Sequence, residues 1–199
     1  MRHLGEDDAF ATLEEALPYK KNFAAVGLDS SELGHPPSKF TRVFAKAKSA
    51  GLPAVVHAGE EGPPQYISEA LDLLHARRID HGVRCAEDGA LVRRLAREQV
   101  PLTVCPLSNV ALRGFARPEE HNLKQLLQRG LCVTINSDDP AYFGGYLRQN
   151  YAACENALGL GRGELAVLAK NSFRTSFLEE KEKAWYAGEI DQVLAAEIR

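Results

Sequence analysis

Four short runs organise this chain: VVHAGE at 55–60, RIDHG at 78–82, CPLSN at 105–109 and VTINSDDP at 133–140. Each joins an apolar, strand-like stretch to polar residues at its C-terminal end. Repetition of that kind narrows the fold, because a parallel sheet with helical crossovers brings the C-terminal ends of successive strands to one face, where the connecting loops converge. One His, one carboxylate, a second His and an adjacent carboxylate pair would meet there. Such a set suits metal-assisted attack of activated water on a carbon.

Apolar centres predict strands near 24–29, 53–58, 78–82, 102–106 and 132–137, spaced by about 23 to 31 residues, the size of one strand-and-helix unit. Phe40, Val43, Phe44 and Ala47 mark a helix that starts after Pro36-Pro37-Ser38 and stops at Gly51. Ile67, Ala70, Leu71 and Leu74 mark the next, opened by Pro63-Pro64; Leu91 and Leu95 mark a third; Leu123, Leu126 and Leu127 mark a fourth, with Gly130 as its stop. From about Tyr146 onward the pattern is helical only. The expected class is therefore α/β, a parallel sheet covered by helices, with residues 1–199 forming one domain without a linker. Five strands fall short of the eight in a closed (β/α)₈ barrel of about 250 residues. Either the sheet is open and doubly wound, or the chain is the C-terminal part of a barrel. The opening MRHLGEDDAF, polar almost at once, resembles the end of a truncated element more than a natural start.

Composition narrows the partners. With 45% hydrophobic and 26% charged residues, 199 residues can bury one substantial core. Lys and Arg number 24 against 27 Asp and Glu, a formal net charge of −3, so nothing electrostatic recommends nucleic acid or an anionic membrane. A small-molecule partner is expected. The four cysteines, Cys85, Cys105, Cys132 and Cys154, show no C-x-x-C spacing, and no signal peptide or long apolar run is present, so the expected location is the reducing cytoplasm.

His57 lies at a strand end, and Gly59 lets the backbone turn so that Glu60 returns toward the same mouth. Imidazole is a common ligand for divalent transition metals, and a nearby carboxylate can move protons to and from water. Alone, H-x-x-E reads as well as a structural His beside a solvated Glu. His81 repeats the placement one unit later, where it can bind metal or hydrogen-bond the nucleophile; His3, His35, His75 and His121 lack this setting. Asp138 and Asp139 follow an apolar strand directly, and adjacent carboxylates there call for a cation or hydrogen-bond donors, the alternative being an Asp-rich turn before Pro140. Ser108 and Asn109 are expected to hydrogen-bond groups of the site from behind, while Cys105 reads as packing. Absence of G-x-S-x-G disfavours a serine nucleophile, and the H-x-E with P-C-x-x-C zinc deaminases are excluded by motif.

Taken together these residues resemble the adenosine/adenine deaminase family of metal-dependent hydrolases, from the Val26-Gly27-Leu28-Asp29-Ser30-Ser31-Glu32 run through Asp138-Asp139 and into the helical tail. The resemblance implies a (β/α)₈ barrel, of which this chain would hold about five C-terminal strands with their helices plus a helical C-terminal tail. It implies one Zn2+ per site, with His57 and Asp138 as ligands. Glu60 would be the proton shuttle that protonates purine N1 as hydroxide attacks C6, His81 would orient and polarise that hydroxide, and Asp139 would hydrogen-bond the purine ring. Asp29-Ser30-Ser31-Glu32, Glu60-Glu61-Gly62-Pro63-Pro64 and Asp139-Pro140-Ala141-Tyr142-Phe143-Gly144-Gly145 are closer to the adenine deaminase branch than to adenosine deaminases, which usually carry D-L-A-G-x-E. The implied reaction is adenine plus water giving hypoxanthine and ammonia, a purine salvage step.

One departure matters. The family's first strand carries an H-x-H that supplies two further zinc ligands, and these 199 residues contain no H-x-H. The chain alone is therefore expected to bind zinc weakly and to be largely inactive, and open barrel edges would favour self-association. Two alternatives stand beside this reading: deamination of adenosine or another 6-aminopurine, and a non-catalytic fragment or interaction module.

Overall fold

The computed structural model describes residues 2–196; Met1 and residues 197–199, the last of the expected helical tail, lie outside the described residues. The chain forms two compact units, Met1–Leu102 and Thr103–Arg199.

In the first unit, helix α1 (Glu6–Ala16) opens with three acidic residues, and the Asp8 carboxylate accepts from the Gly5 N–H. Acidic residues in a first turn complement the positive end of the helix dipole. Strand β1 (Val26–Leu28) leads through a short 3-10 turn at Pro37–Phe40 to α2 (Thr41–Ser49). Glu6 caps that second helix from outside, accepting from the backbone N–H groups of Arg42 (2.7 Å) and Val43 (3.0 Å), and the Val43 N–H, with the Arg42 side chain and N–H, holds the Glu6 carboxyl below its usual range against the effect of burial. Then follow β2 (Ala54–Ala58), α3 (Pro64–Asp72), β3 (Ala76–His81) and α4 (Gly89–Glu98), the last capped by Asp88 through Ala90 N and Leu91 N. β1 pairs with β2 and β2 with β3, all parallel, Val56 lying beside Leu28 and Ile79. Phe40, Phe44, Val56, Ile67, Ile79 and Leu95 fill the core of this unit.

Strand β4 (Leu102–Val104) carries the chain into the second unit, which holds α5 (Pro106–Ala111), α6 (Leu123–Gln128), β5 (Val133–Ile135), α7 (Pro140–Phe143), α8 (Leu147–Leu158), α9 (Arg162–Arg174) and α10 (Glu180–Ala196). Its core gathers Val104, Leu123, Leu126, Val133, Ile135 and Leu168. Lys124 closes the C-terminal end of α8 by donating to the carbonyls of Leu158 (3.1 Å) and Gly159 (2.6 Å), where the helix leaves orphan acceptors. Phe173 of α9 stacks on Tyr186 of α10 with ring centroids 4.3 Å apart.

The strands take their places in the sheet in chain order, β1-β2-β3-β4-β5, and alternate with helices as the sequence leads one to expect. β3 starts at Ala76, earlier than predicted, and β1 and β5 are shorter than their apolar runs. Three helices were not anticipated, the shortest being α7, a single turn that starts at Pro140. α1 lies in a segment whose polar opening hides a good acidic first turn, and α5 begins at Pro106, in what reads as the tail of a strand. Among the described residues no helix is long and apolar enough to cross a membrane.

Candidate active site

Along β2, Ala54, Val56 and Ala58 are buried while Val55 and His57 are only half-buried, so strand alternation turns His57 away from the apolar core. The next residue but one, Gly59, has φ +72°, and a Cβ there would sit 2.5 Å from Cδ1 of Ile67. Only glycine permits that turn this close to α3. After it, the backbone N–H groups of Gly59, Glu60 and Glu61 all donate to one carboxylate, Glu32, at 2.5, 3.0 and 2.9 Å. Glu32 is 2% exposed. Carbonyls of the same segment are held too: Arg2 Nη1 donates to His57 O (2.5 Å), Arg84 N to Gly59 O (2.8 Å), and the Arg84 guanidinium to Glu61 O.

With its backbone so fixed, Glu60 places Oε1 3.2 Å from Nδ1 of His81, the last residue of β3. His81 is 2% exposed and has φ +63°, a left-handed conformation that costs a non-glycine residue about 1 kcal/mol or more. The His57 and His81 rings lie with centroids 4.9 Å apart. Of the expected site residues, His57, Glu60 and His81 are therefore brought together within the first unit.

Two further carboxylates flank His57. Its Nδ1 is 3.0 Å from Asp29 Oδ1, just beyond β1, and 3.5 Å from Asp80 Oδ2 in β3. The nitrogen is shut off from solvent, yet neither contact is an aligned hydrogen bond. Asp80 is itself held by Arg78 Nε at 3.2 Å. Burial alone would lower the His57 pKa, but Asp29 and then Asp80 outweigh it and raise the imidazole above its ordinary value. Asp29 moves the other way, its carboxyl lowered chiefly by His57.

In the second unit, Asp138 and Asp139 occupy the turn after β5. Asp138 has φ +53° and its Oδ1 accepts from Asp139 N at 2.8 Å. Asp139 caps α7: Oδ1 accepts from Ala141 N (3.0 Å) and Tyr142 N (3.2 Å). Ser108 and Asn109 are buried in α5. The Ser108 hydroxyl donates to the Cys105 carbonyl (3.0 Å), and Asn109 Oδ1 lies 3.3 Å from His121 Nε2. Because His121 Nδ1 accepts from Leu123 N (3.1 Å), the imidazole carries its proton on Nε2 and donates it to Asn109. Burial pushes the His121 pKa down to about 4.

Sequence reasoning gave no role to Asp29, Asp80, Glu32, Arg2 or His121. For Asp29 and Asp80 the signal was available, since each sits at or beside the end of an apolar strand, as His57 and His81 do.

The donor set fits a divalent metal in its chemistry: the Asp29 and Asp80 carboxylates stand beside Nδ1 of His57, the arrangement in which a carboxylate behind a ligating imidazole leaves Nε2 to the metal. Parallel strands alternating with helices, with imidazoles and carboxylates at the strand ends, define an α/β fold of the partial (β/α)₈ barrel type. A family model described as adenosine deaminase matches residues 1–193, and the chain belongs to that family. It is 60% identical over 194 residues to an adenine deaminase of Hahella chejuensis and 59% identical over 193 residues to one of Acinetobacter baylyi, covering 98% and 97% of this chain. The chain spans 58% of the length of each of these relatives. The crystal structure of adenine deaminase from Arthrobacter aurescens matches with a TM-score of 0.95 at 49% identity, over 98% of this chain and 59% of that one. A second structure, an amidohydrolase from Burkholderia ambifaria with bound Zn, matches with a TM-score of 0.89 at 25% identity, over 98% of this chain and 56% of that one.

Proposed function

We propose that this chain carries the proton-handling half of a zinc-dependent adenine deaminase, converting adenine and water to hypoxanthine and ammonia. The grouping of His57, Glu60 and His81 carries the reading, and the similarity to proteins described as adenine deaminases supports adenine over adenosine. His57 and Asp138 would hold the zinc, the former through Nε2, since Asp29 and Asp80 flank Nδ1. When bound, zinc lowers the pKa of a water so that it attacks at neutral pH. Glu60, beside a buried imidazole, would take a proton from the attacking water and deliver it to purine N1. His81 would orient the nucleophile. Asp139, whose Oδ1 is engaged by the α7 backbone, would offer Oδ2 to the purine ring. Ser108 and Asn109 would stiffen the loop behind.

Residues 1–199 are read as one incomplete barrel domain of a cytoplasmic salvage enzyme whose partner is a small purine. By themselves they supply two of the family's zinc ligands, so the polypeptide alone is expected to bind zinc weakly and turn over little adenine, and its open edges to favour self-association. A chimera tests the function: the part of the Hahella chejuensis protein that this chain does not span, joined to this chain. Adenine turnover well above adenosine turnover, lost in Glu60→Gln with zinc retained, is expected. A zinc-loaded chimera inert toward adenine sinks the proposal, and one that prefers adenosine moves it to the other branch.

A further inference from the structure

The segment 57–61 is gripped by two buried, oppositely charged side chains that come from different parts of the first unit and lie outside the proposed chemistry. Glu32 takes the N–H groups of Gly59, Glu60 and Glu61; Arg2, fully buried, takes the His57 carbonyl with Nη1 and the His35 carbonyl with Nε (2.6 Å). Three amides aimed at one carboxylate form an anion-binding concavity, filled here by the chain's own side chain. Burying either charge is costly unless it is hydrogen-bonded, and each is bonded to this segment. The two also offset one another, since Glu32 raises the Arg2 pKa against the lowering due to burial. Space is tight as well: a Cβ on Gly62 would fall 2.6 Å from Glu32 Oε1.

We propose that Glu32 and Arg2 are positioning residues, which hold the donors and a carbonyl of the 57–61 backbone so that the Glu60 carboxylate stays against His81. This rests on the reading of Glu60 and His81 as the proton-handling pair. A general packing role would be satisfied by burial alone. A positioning role requires that losing the Glu32 charge frees three particular amides and one particular side-chain contact.

The test uses neither metal nor purine, so it can fail while the deaminase reading stands, and the chimera can fail while this stands. Amide hydrogen exchange, imidazole 15N shifts and thermal unfolding are measured on the 199-residue chain and on Glu32→Gln, Glu32→Asp and Arg2→Met. In Glu32→Gln, exchange at Gly59, Glu60 and Glu61 is expected to quicken by about tenfold or more while β1 and α2 amides keep their protection. The His81 ring resonances move with it. Glu32→Asp, which keeps the charge on a shorter stem, should show the same local pattern more weakly, and Arg2→Met should move the His57 resonances. Wild-type exchange at the three amides in Glu32→Gln, or equal loss of protection throughout the unit, overturns the proposal. Should Glu32→Gln fail to fold, Glu32→Asp decides on the same criteria, and failure of both to fold makes Glu32 a structural residue and overturns the positioning role.

Discussion

The two units hold their loops by different chemistry. In the first, charge does it: Glu32 on three amides, Arg2 on two carbonyls, Glu6 on the start of α2. In the second, charged groups cap α7 (Asp139) and α8 (Lys124), but the more buried clamps are neutral amides: Asn150 accepts from Leu107 N (3.1 Å) and donates to the carbonyls of Gly145 (3.0 Å) and Tyr146 (3.2 Å), while Asn171 donates to Val133 O (3.0 Å). A charged acceptor binds N–H groups about twice as strongly as a neutral one, at the expense of a larger desolvation penalty. Glu32 and Asn150 make three hydrogen bonds each, so the two clamps differ in charge and not in number.

Single substitutions should expose the contrast. Glu32→Ala takes a buried carboxylate from three backbone donors, one buried and two half-buried, and a loss of about 4 kcal/mol in urea unfolding is expected, since each bond to a charged group is worth roughly 1.5–3 kcal/mol and water recovers part. Asn150→Ala removes a neutral clamp of equal bond count and should cost less, about 2–3 kcal/mol. If the two losses come out equal, charge is not what distinguishes the units.

Acid gives a sharper division. His121 is neutral in the folded state, with its pKa down at about 4, so the unfolded chain takes up its proton first as the pH falls. Stability from this group is fully present above about pH 6.5 and is lost toward pH 4; from about pH 7 to pH 5 the loss is about 2 kcal/mol. Carboxylates that the fold holds low, Asp29 and Glu6 among them, lose stability in the same direction but lower down. Comparing wild type with His121→Gln across that range isolates the histidine: the variant should show the flatter profile, and parallel profiles would deny the buried neutral imidazole.

Much of this was legible in the sequence, for identifiable reasons. Strand ends announce themselves when an apolar run stops at His, Asp or Glu, and so His57, His81 and Asp138 could be placed without coordinates. The Gly59 turn was readable too, because a glycine between a His and a Glu has few other uses. What stayed hidden depends on distant neighbours. Arg2 and Glu32 are of types that normally face water, and nothing local marks them as buried. His121 looked unconnected because its partner, Asn109, sits in a short helix that begins where the sequence still reads as strand. α1 is hidden for a milder reason: its polar opening reads as the end of a truncated element, although Asp8 reaching back to Gly5 N is a helix-start signal.

His81 and Asp138 both carry a left-handed backbone that glycine would adopt freely. Glycine would take up that backbone without strain, so at both positions a side chain is kept where the local conformation favours none. Backbone relief and the proposed zinc chemistry would therefore pull these two positions in opposite directions, the first toward glycine and the second toward the side chains present.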